Sequence, residues 1–468
     1  MKKLLHLTIF CFTVLYCSSQ VAINNNGNNP ATTSMLDVSS TTKGMLIPRM
    51  TSVQRKAISN PEMGLLVYDT DRQTIYLFDG VNWKPMMFTI DGSLPPISRQ
   101  PDGLAYASYF GSSVDIYGNY AVVGAPGDTV GNEICGAAYI YAKESGTWKQ
   151  MAKLKASNAA AGDKFGTSVS IYDDLVVIGA PEKAISGIYG RGRVYVFKRT
   201  GNVWSQLAGL QASNGQAYDL FGTSVAIDGQ MIIAGAPFTD HTGKTDAGSA
   251  YVFRFENNNW VEKKVLNPAD ATNTGLFGSA VDISGATVAI GAYNTTASFV
   301  AYTGAVYTYN NTDFTGTNWV FGQKLGPDIK QAEMQFGYSV DIEGDRMLVG
   351  APSYNESGAP GAGRAFGFKR TGGQWSSDFN LNSFTAGEQA GKAVAIDGDY
   401  SFFSYPGYNN ESGRVMIYNM NSITKYLYDE NKDIGRQFGR VMAAHNGQYI
   451  IGASGFAQYG AVFFGVVN

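Results

Sequence analysis

Phe165-Gly166-Thr167-Ser168-Val169-Ser170-Ile171, leading to Val177-Ile178-Gly179-Ala180-Pro181, is the stretch that decides the fold. Its first half alternates polar and apolar residues at period two, the pattern of a half-buried strand. The second half is a nearly unbroken apolar run, which predicts a strand buried on both faces. Gly179 is expected either to let backbones crowd near the axis or to take a positive φ, and Pro181 ends the strand because it has no N–H for a ladder. Further on, Gly192-Arg193-Val194-Tyr195-Val196-Phe197 opens a third strand, and a polar hairpin leads to a fourth that carries Trp204.

The same grammar recurs through most of the chain. Phe110-Gly111 leads to Gly124-Ala125-Pro126, Phe221-Gly222 to Gly235-Ala236-Pro237, Phe277-Gly278 to Gly291-Ala292-Tyr293, and Phe336-Gly337 to Gly350-Ala351-Pro352. Two copies are degraded: Ala390-Gly391 to Ser404-Tyr405-Pro406, and Phe438-Gly439 to Gly452-Ala453-Ser454. The seven starts lie 55, 56, 56, 59, 54 and 48 residues apart. Five of the six tryptophans (148, 204, 260, 319 and 375) fall in one slot, and 17 residues separate it from the next Phe-Gly in four consecutive units. Four strands per unit in seven units predict an all-β fold, a seven-bladed β-propeller of four-stranded blades over residues 95–468. The Phe and Trp rings are expected to pack between neighbouring blades.

Composition agrees and narrows the classes. Glycine supplies 56 of 468 residues, and 44% of the chain is hydrophobic against 16% charged, which excludes global disorder. A net charge of −3 leaves no basic field for nucleic acid or an anionic membrane. Lys2-Lys3 and the apolar run after them predict a secretory signal over residues 1–19. The rival is a lipoprotein cut before Cys17, against which Tyr16 stands as a bulky neighbour. No other stretch is long and apolar enough to span a bilayer. Beyond the signal only Cys135 remains, so no internal disulfide can form.

The Phe-Gly and Gly-Ala-Pro units resemble FG-GAP repeats, the blade unit of the integrin alpha-subunit propeller and of many bacterial secreted proteins. The resemblance covers about residues 105–468. It implies adhesion or ligand binding at the cell exterior. Calcium-binding blades of that kind carry Asp-rich loops between their first two strands. Here the hairpins are short, as in Ile116-Tyr117-Gly118-Asn119 and Ile342-Glu343-Gly344-Asp345, and cannot offer six to eight oxygens. No metal and no cofactor is expected.

The seventh unit ends after its third strand. Closure of the ring is expected from residues 83–106, with Trp83-Lys84-Pro85-Met86 and residues 88–97 as equal candidates. Residues 20–94 form a separate head segment. Within it, residues 34–38, 44–50 and 64–69 read as strands, residues 52–58 as a helical turn, and Tyr76 to Trp83 as a hairpin. This segment resembles the head of tail-fibre-like bacterial proteins, and the resemblance implies a role in self-assembly.

Chemistry is sparse. Beyond the signal the chain has only His241 and His445, in different units, and no nucleophile elbow, phosphate loop or Cys-x-x-Cys. No catalytic residue is assigned. The candidate ligand face is the set of loops after Gly-Ala-Pro: Phe238, Tyr293, Tyr354, Asn355, Tyr408, Asn409 and Phe456. Aromatic rings beside Asn could stack and hydrogen-bond to a glycan or protein. The plainer alternative is that each ring packs its own loop. The sequence therefore points to an exported, non-enzymatic protein that binds an extracellular protein or glycan. Two alternatives stand beside it: a polysaccharide hydrolase or lyase, to be favoured by two carboxylates within roughly 10 Å in a deep axial pocket, and a structural fibre or surface-assembly component.

Overall fold

In a computed structural model, the structure describes residues 21–23, 29, 36–71, 74–86, 97–101, 104, 107–296, 300–313, 316–419, 422–429, 435–455 and 460–467. The expected signal segment and Phe456 lie outside the described residues. The chain divides into two compact units, Met1–Met87 and Phe88–Asn468.

In the first unit, a four-stranded sheet joins Arg49–Met50, Leu66–Asp69, Thr74–Phe78 and Trp83–Met86. A short helix, Ser52–Lys56, starts in a capping box between Thr51 and Gln54. Arg55 on that helix is buried, bonded to Asp69 at 2.8 Å and placed 3.7 Å over the Tyr76 ring. The predicted strand over residues 44–50 forms only at Arg49–Met50. Met45 and Leu46 before it are 62% and 80% exposed, with no buried face to dock on. The Tyr76 to Trp83 hairpin forms as read, with Phe78 opposite Trp83.

The second unit holds seven four-stranded antiparallel sheets among the described residues. Blade 2 is typical: Ser168–Tyr172, Leu175–Ala180, Arg193–Thr200 and Val203–Leu210, in that spatial order. The first strand of each sheet lies beside the first strands of its two neighbours, and the series closes from blade 7 back to blade 1. Blade 7 takes its fourth strand from far upstream: Ile97–Arg99 pairs with Ala461–Val466, Ser98 facing Phe463. This falls within the expected 83–106 window. Trp83–Met86 is not the donor, because it is already paired in the sheet of the first unit.

The repeated residues are joints between blades. Each Phe-Gly glycine donates its N–H to the glycine carbonyl of its own Gly-Ala-Pro, as Gly166 does to Gly179 at 3.0 Å. The Gly-Ala-Pro glycine in turn abuts the next blade's Phe-Gly. A Cβ on Gly179 would stand 2.0 Å from the Gly222 carbonyl oxygen, and one on Gly235 would stand 1.9 Å from that of Gly278. The glycine opening each third strand meets the next blade's phenylalanine in the same way: a Cβ on Gly192 would lie 2.1 Å from Phe221 O.

The phenylalanines are buried wedges. Phe165 touches the Tyr195 ring of its own blade edge-on at 5.4 Å and packs against Val122 and Ile140 of blade 1. The tryptophans also lean on the preceding blade, and Trp148 stacks on Phe464 of blade 7 at 4.5 Å. The degraded sixth unit still forms a blade. Ala390 replaces the phenylalanine, and the buried Phe403 in the neighbouring strand joins the same cluster and keeps the volume filled.

Gly235→Ala is expected to destabilise the protein by roughly 3 kcal/mol or more, because two backbones must separate. Gly229→Ala, in a hairpin at φ +57° with open space around it, costs only about 1–2 kcal/mol for the left-handed backbone. Chemical denaturation of the two variants checks the ranking. Equal midpoints would remove the inter-blade reading of the glycine.

Candidate binding site at the propeller axis

The first strands line the axis, and their side chains brace one blade to the next at three levels. At the strand start, Ser113 Oγ donates to Gly166 O at 2.9 Å, Ser168 to Gly222 at 2.8 Å, Ser224 to Gly278 at 2.8 Å and Ser339 to Gly391 at 3.0 Å. At mid-strand, the residue between Val and Ile accepts a backbone N–H from the following blade in four blades. Asp115 accepts from Ile171 at 2.8 Å, Ser170 from Ile227 at 3.2 Å, Asp282 from Ile342 at 2.7 Å and Asp341 from Ile396 at 2.6 Å.

At the hairpin end, Asp228 accepts from Gly285 at 2.6 Å, Glu343 from Gly398 at 2.7 Å, and Asp397 from Gly447 at 2.6 Å. Where aromatics replace the acids, stacking does the same work. Tyr117 packs on Tyr172 at 4.8 Å and on His445 of blade 7 at 4.4 Å.

The mid-strand acids surround a channel of about 280 Å³. Burial pushes the Asp115 carboxyl up to about 6, in spite of its bonds from Ile171, Ile116 and Ser170. Asp282 and Asp341 are in direct hydrogen-bond contact. Burial first, and the Asp341 charge second, hold Asp282 well above the usual carboxylate range. Among the described residues no cluster of three or more His, Cys, Asp or Glu could hold a metal ion.

Above this channel, at the end where Phe-Gly and Gly-Ala-Pro meet, opens a mouth of about 490 Å³. The residue after each Phe-Gly lines it: Ser112, Thr167, Thr223, Ser279, Tyr338, Lys392 and Arg440 in blades 1 to 7. Lys392 Nζ sits 3.9 Å over the Tyr338 ring, and Tyr338 packs on Tyr293 at 5.3 Å. Arg440 donates to Gln437 at 2.6 Å. Neither cation has a carboxylate partner among the described residues.

The loop residues singled out from sequence are placed as follows. Phe238 is 37% exposed, and Tyr293 is half-buried against Tyr338. Tyr354 is 5% exposed and lies under Arg364, whose guanidinium also pairs with Glu356 at 3.2 Å. Asn355 turns its own loop, accepting from Gly361 N at 2.7 Å. Tyr408 lies 4.4 Å from Arg414, which pairs with the buried Glu388. Asn409 has φ +49° in the same turn. No ring contact joins Phe238, Tyr293, Tyr354 and Tyr408 to one another among the described residues.

Two of these loops are therefore pinned to third-strand arginines. His241 bonds Gly248 O at 2.8 Å in a loop, whereas His445 reaches the axial channel. Sequence reading missed the axial residues, although the signal was there: one variable slot after each Phe-Gly, followed by Ser in four of the seven units.

Comparison with protein families finds the FG-GAP repeat at residues 100–141, 148–197, 204–253, 260–309 and 319–368, together more than half of the chain. The chain belongs to the FG-GAP repeat family. Each matched FG-GAP segment after the first begins on a Trp strand and ends on the third strand of the following blade, so one sequence unit ties two blades together. Residues 22–98 match the phage tail like trimerisation region. No curated protein matches the chain. Among solved structures, one chain of the "Crystal Structure of Mitotic Checkpoint Complex" is similar at 11% identity with a TM-score of 0.49, covering 80% of this chain and 95% of its own.

The axial acid gives a pH signature. A carboxyl that binds its proton more tightly when folded stabilises most below its unfolded value of 3.8, and that contribution fades as pH rises through about 6. Asp115→Asn removes the ionisation while keeping an acceptor for Ile171. Subtracting the variant's unfolding free energy from that of the wild type should give a difference that falls by about 2–3 kcal/mol between pH 4 and 7. A flat difference would show that Asp115 ionises freely.

Proposed function

We propose that the protein is an exported binding protein, trimeric through its head, that presents the axial mouths of its propellers to an extracellular macromolecule. The observation that carries this reading is the head's exposed apolar surface. Leu46, Val53, Met63 and Val81 are 80%, 76%, 77% and 79% exposed in the single chain. Ile23 and Leu36, on the two paired strands Val21–Ile23 and Leu36–Val38, add to it at 57% and 53%. Exposed apolar residues in this density favour a partner surface, and the match to a trimerisation region supports further copies of the same chain. The FG-GAP propeller supplies a binding and adhesion type of fold, and the Lys2-Lys3 apolar leader supports export. Three linked propellers would gain avidity on a repetitive target.

A polysaccharide hydrolase is the second reading, because Asp282 and Asp341 meet the criterion of paired axial carboxylates. Their geometry favours bracing. The two carboxyls touch, whereas a glycosidase pair stands roughly 5–9.5 Å apart to flank its substrate. Each also has an oxygen engaged by the next blade's backbone.

Light scattering on the full chain should read a mass near three times 50.3 kDa, less any cleaved leader. Leu46→Asp combined with Val81→Asp should give monomers with an unchanged propeller. A monomeric wild type would sink the trimer. Turnover of a polysaccharide that is lost in Asp282→Asn would transfer the reading to an enzyme.

A further inference from the structure

The mouth of the axial channel is electrically divided. In the arc from blade 5 to blade 1, Tyr338, Lys392, Arg440 and Ser112 follow one another in equivalent slots. Lys392 and Arg440 bring two cations with no carboxylate partner among the described residues, and Lys392 is held in place by the Tyr338 ring at 3.9 Å. Ser112 Oγ is buried with no hydrogen-bond partner. This arc offers donors.

The opposite arc offers acceptors. Thr167 Oγ1 gives its proton to Lys164 O at 2.7 Å, Thr223 to Leu220 O at 2.8 Å, and Ser279 to Gly291 O at 3.3 Å. With those protons committed, the three oxygens keep only lone pairs for a visitor. Deeper along the axis the channel is lined by the buried Asp115, Asp282 and Asp341 and has no Lys or Arg in its lining to hold an anion. An anionic group would stop at the mouth, on the Lys392 and Arg440 side.

We propose that this mouth binds an acidic glycan, with a sugar carboxylate on Lys392 and Arg440 and sugar hydroxyls donating to Thr167, Thr223 and Ser279. A uronate unit has this polarity, a carboxylate at one edge and hydroxyls at the others. A volume of about 490 Å³ suits a short oligosaccharide end. An acidic peptide would satisfy the cations, but its only donors for the acceptor arc are backbone N–H groups, whereas a sugar ring presents adjacent hydroxyls. The inference deepens the binding-protein reading and rests on it.

Calorimetry on the full chain with trigalacturonate, its methyl ester and a hexaglutamate peptide tests it. Trigalacturonate should bind at least about tenfold more tightly than the ester, since only the acid offers the two cations a charged hydrogen-bond partner. Lys392→Gln and Arg440→Gln should each weaken it by about tenfold at unchanged melting temperature. Equal affinity for acid and ester overturns the proposal without reliance on any variant, and so does an absence of binding. Preference for hexaglutamate overturns the glycan class in favour of a peptide. Binding of other ligands from a glycan and matrix-protein screen, with none of trigalacturonate, overturns this subsite and leaves the binding-protein reading standing.

Discussion

Everything in the propeller depends on one contact: the glycine of each Gly-Ala-Pro against the carbonyl of the next Phe-Gly. A Cβ there would lie 1.8 to 2.2 Å from that oxygen at six of the seven junctions. Without side chains at these points the first strands can lie close enough for Ser168 to reach Gly222 O and for Asp115 to reach Ile171 N. The seventh junction shows what a side chain does there. Ser404 replaces the glycine, its Cβ lies 3.2 Å from where a Cβ on Gly439 would stand, and its hydroxyl accepts from Ala393 N within its own blade. That junction has no serine brace across the gap, because Ala393 occupies the slot, and Asp397 bonding to Asn446 and Gly447 carries the load at the other end.

The fold was legible because the constraint repeats. A glycine forced by close approach, a phenylalanine forced by a fixed wedge, and a tryptophan on the preceding blade recur at one spacing, so the sequence displays the ring directly. The closing strand was legible only as a window. Ile97–Arg99 is three residues long and shares no motif with the tryptophan strands it replaces.

The axial site was less legible for a physical reason. Position alone does not tell a bracing carboxylate from a free one, and the Asp282–Asp341 contact joins residues 59 apart across two blades. The loop aromatics looked like a platform because Tyr and Asn suit both binding and turns. Arg364 and Arg414, one strand away, stand over the Tyr354 and Tyr408 rings and tie them to their own loops. A division of labour follows. Glycines and axial acids hold the ring, third-strand arginines hold the loops, and the slot after Phe-Gly is left free to vary.

The central claim is that the repeats are joints and that the ring is therefore one cooperative body. Native-state hydrogen exchange in mild denaturant tests it most directly, read at the amides of Ile171, Ile227, Ile342 and Ile396, which donate across blade junctions. The account predicts a shared opening free energy for all four. Separate opening energies, blade by blade, would contradict it.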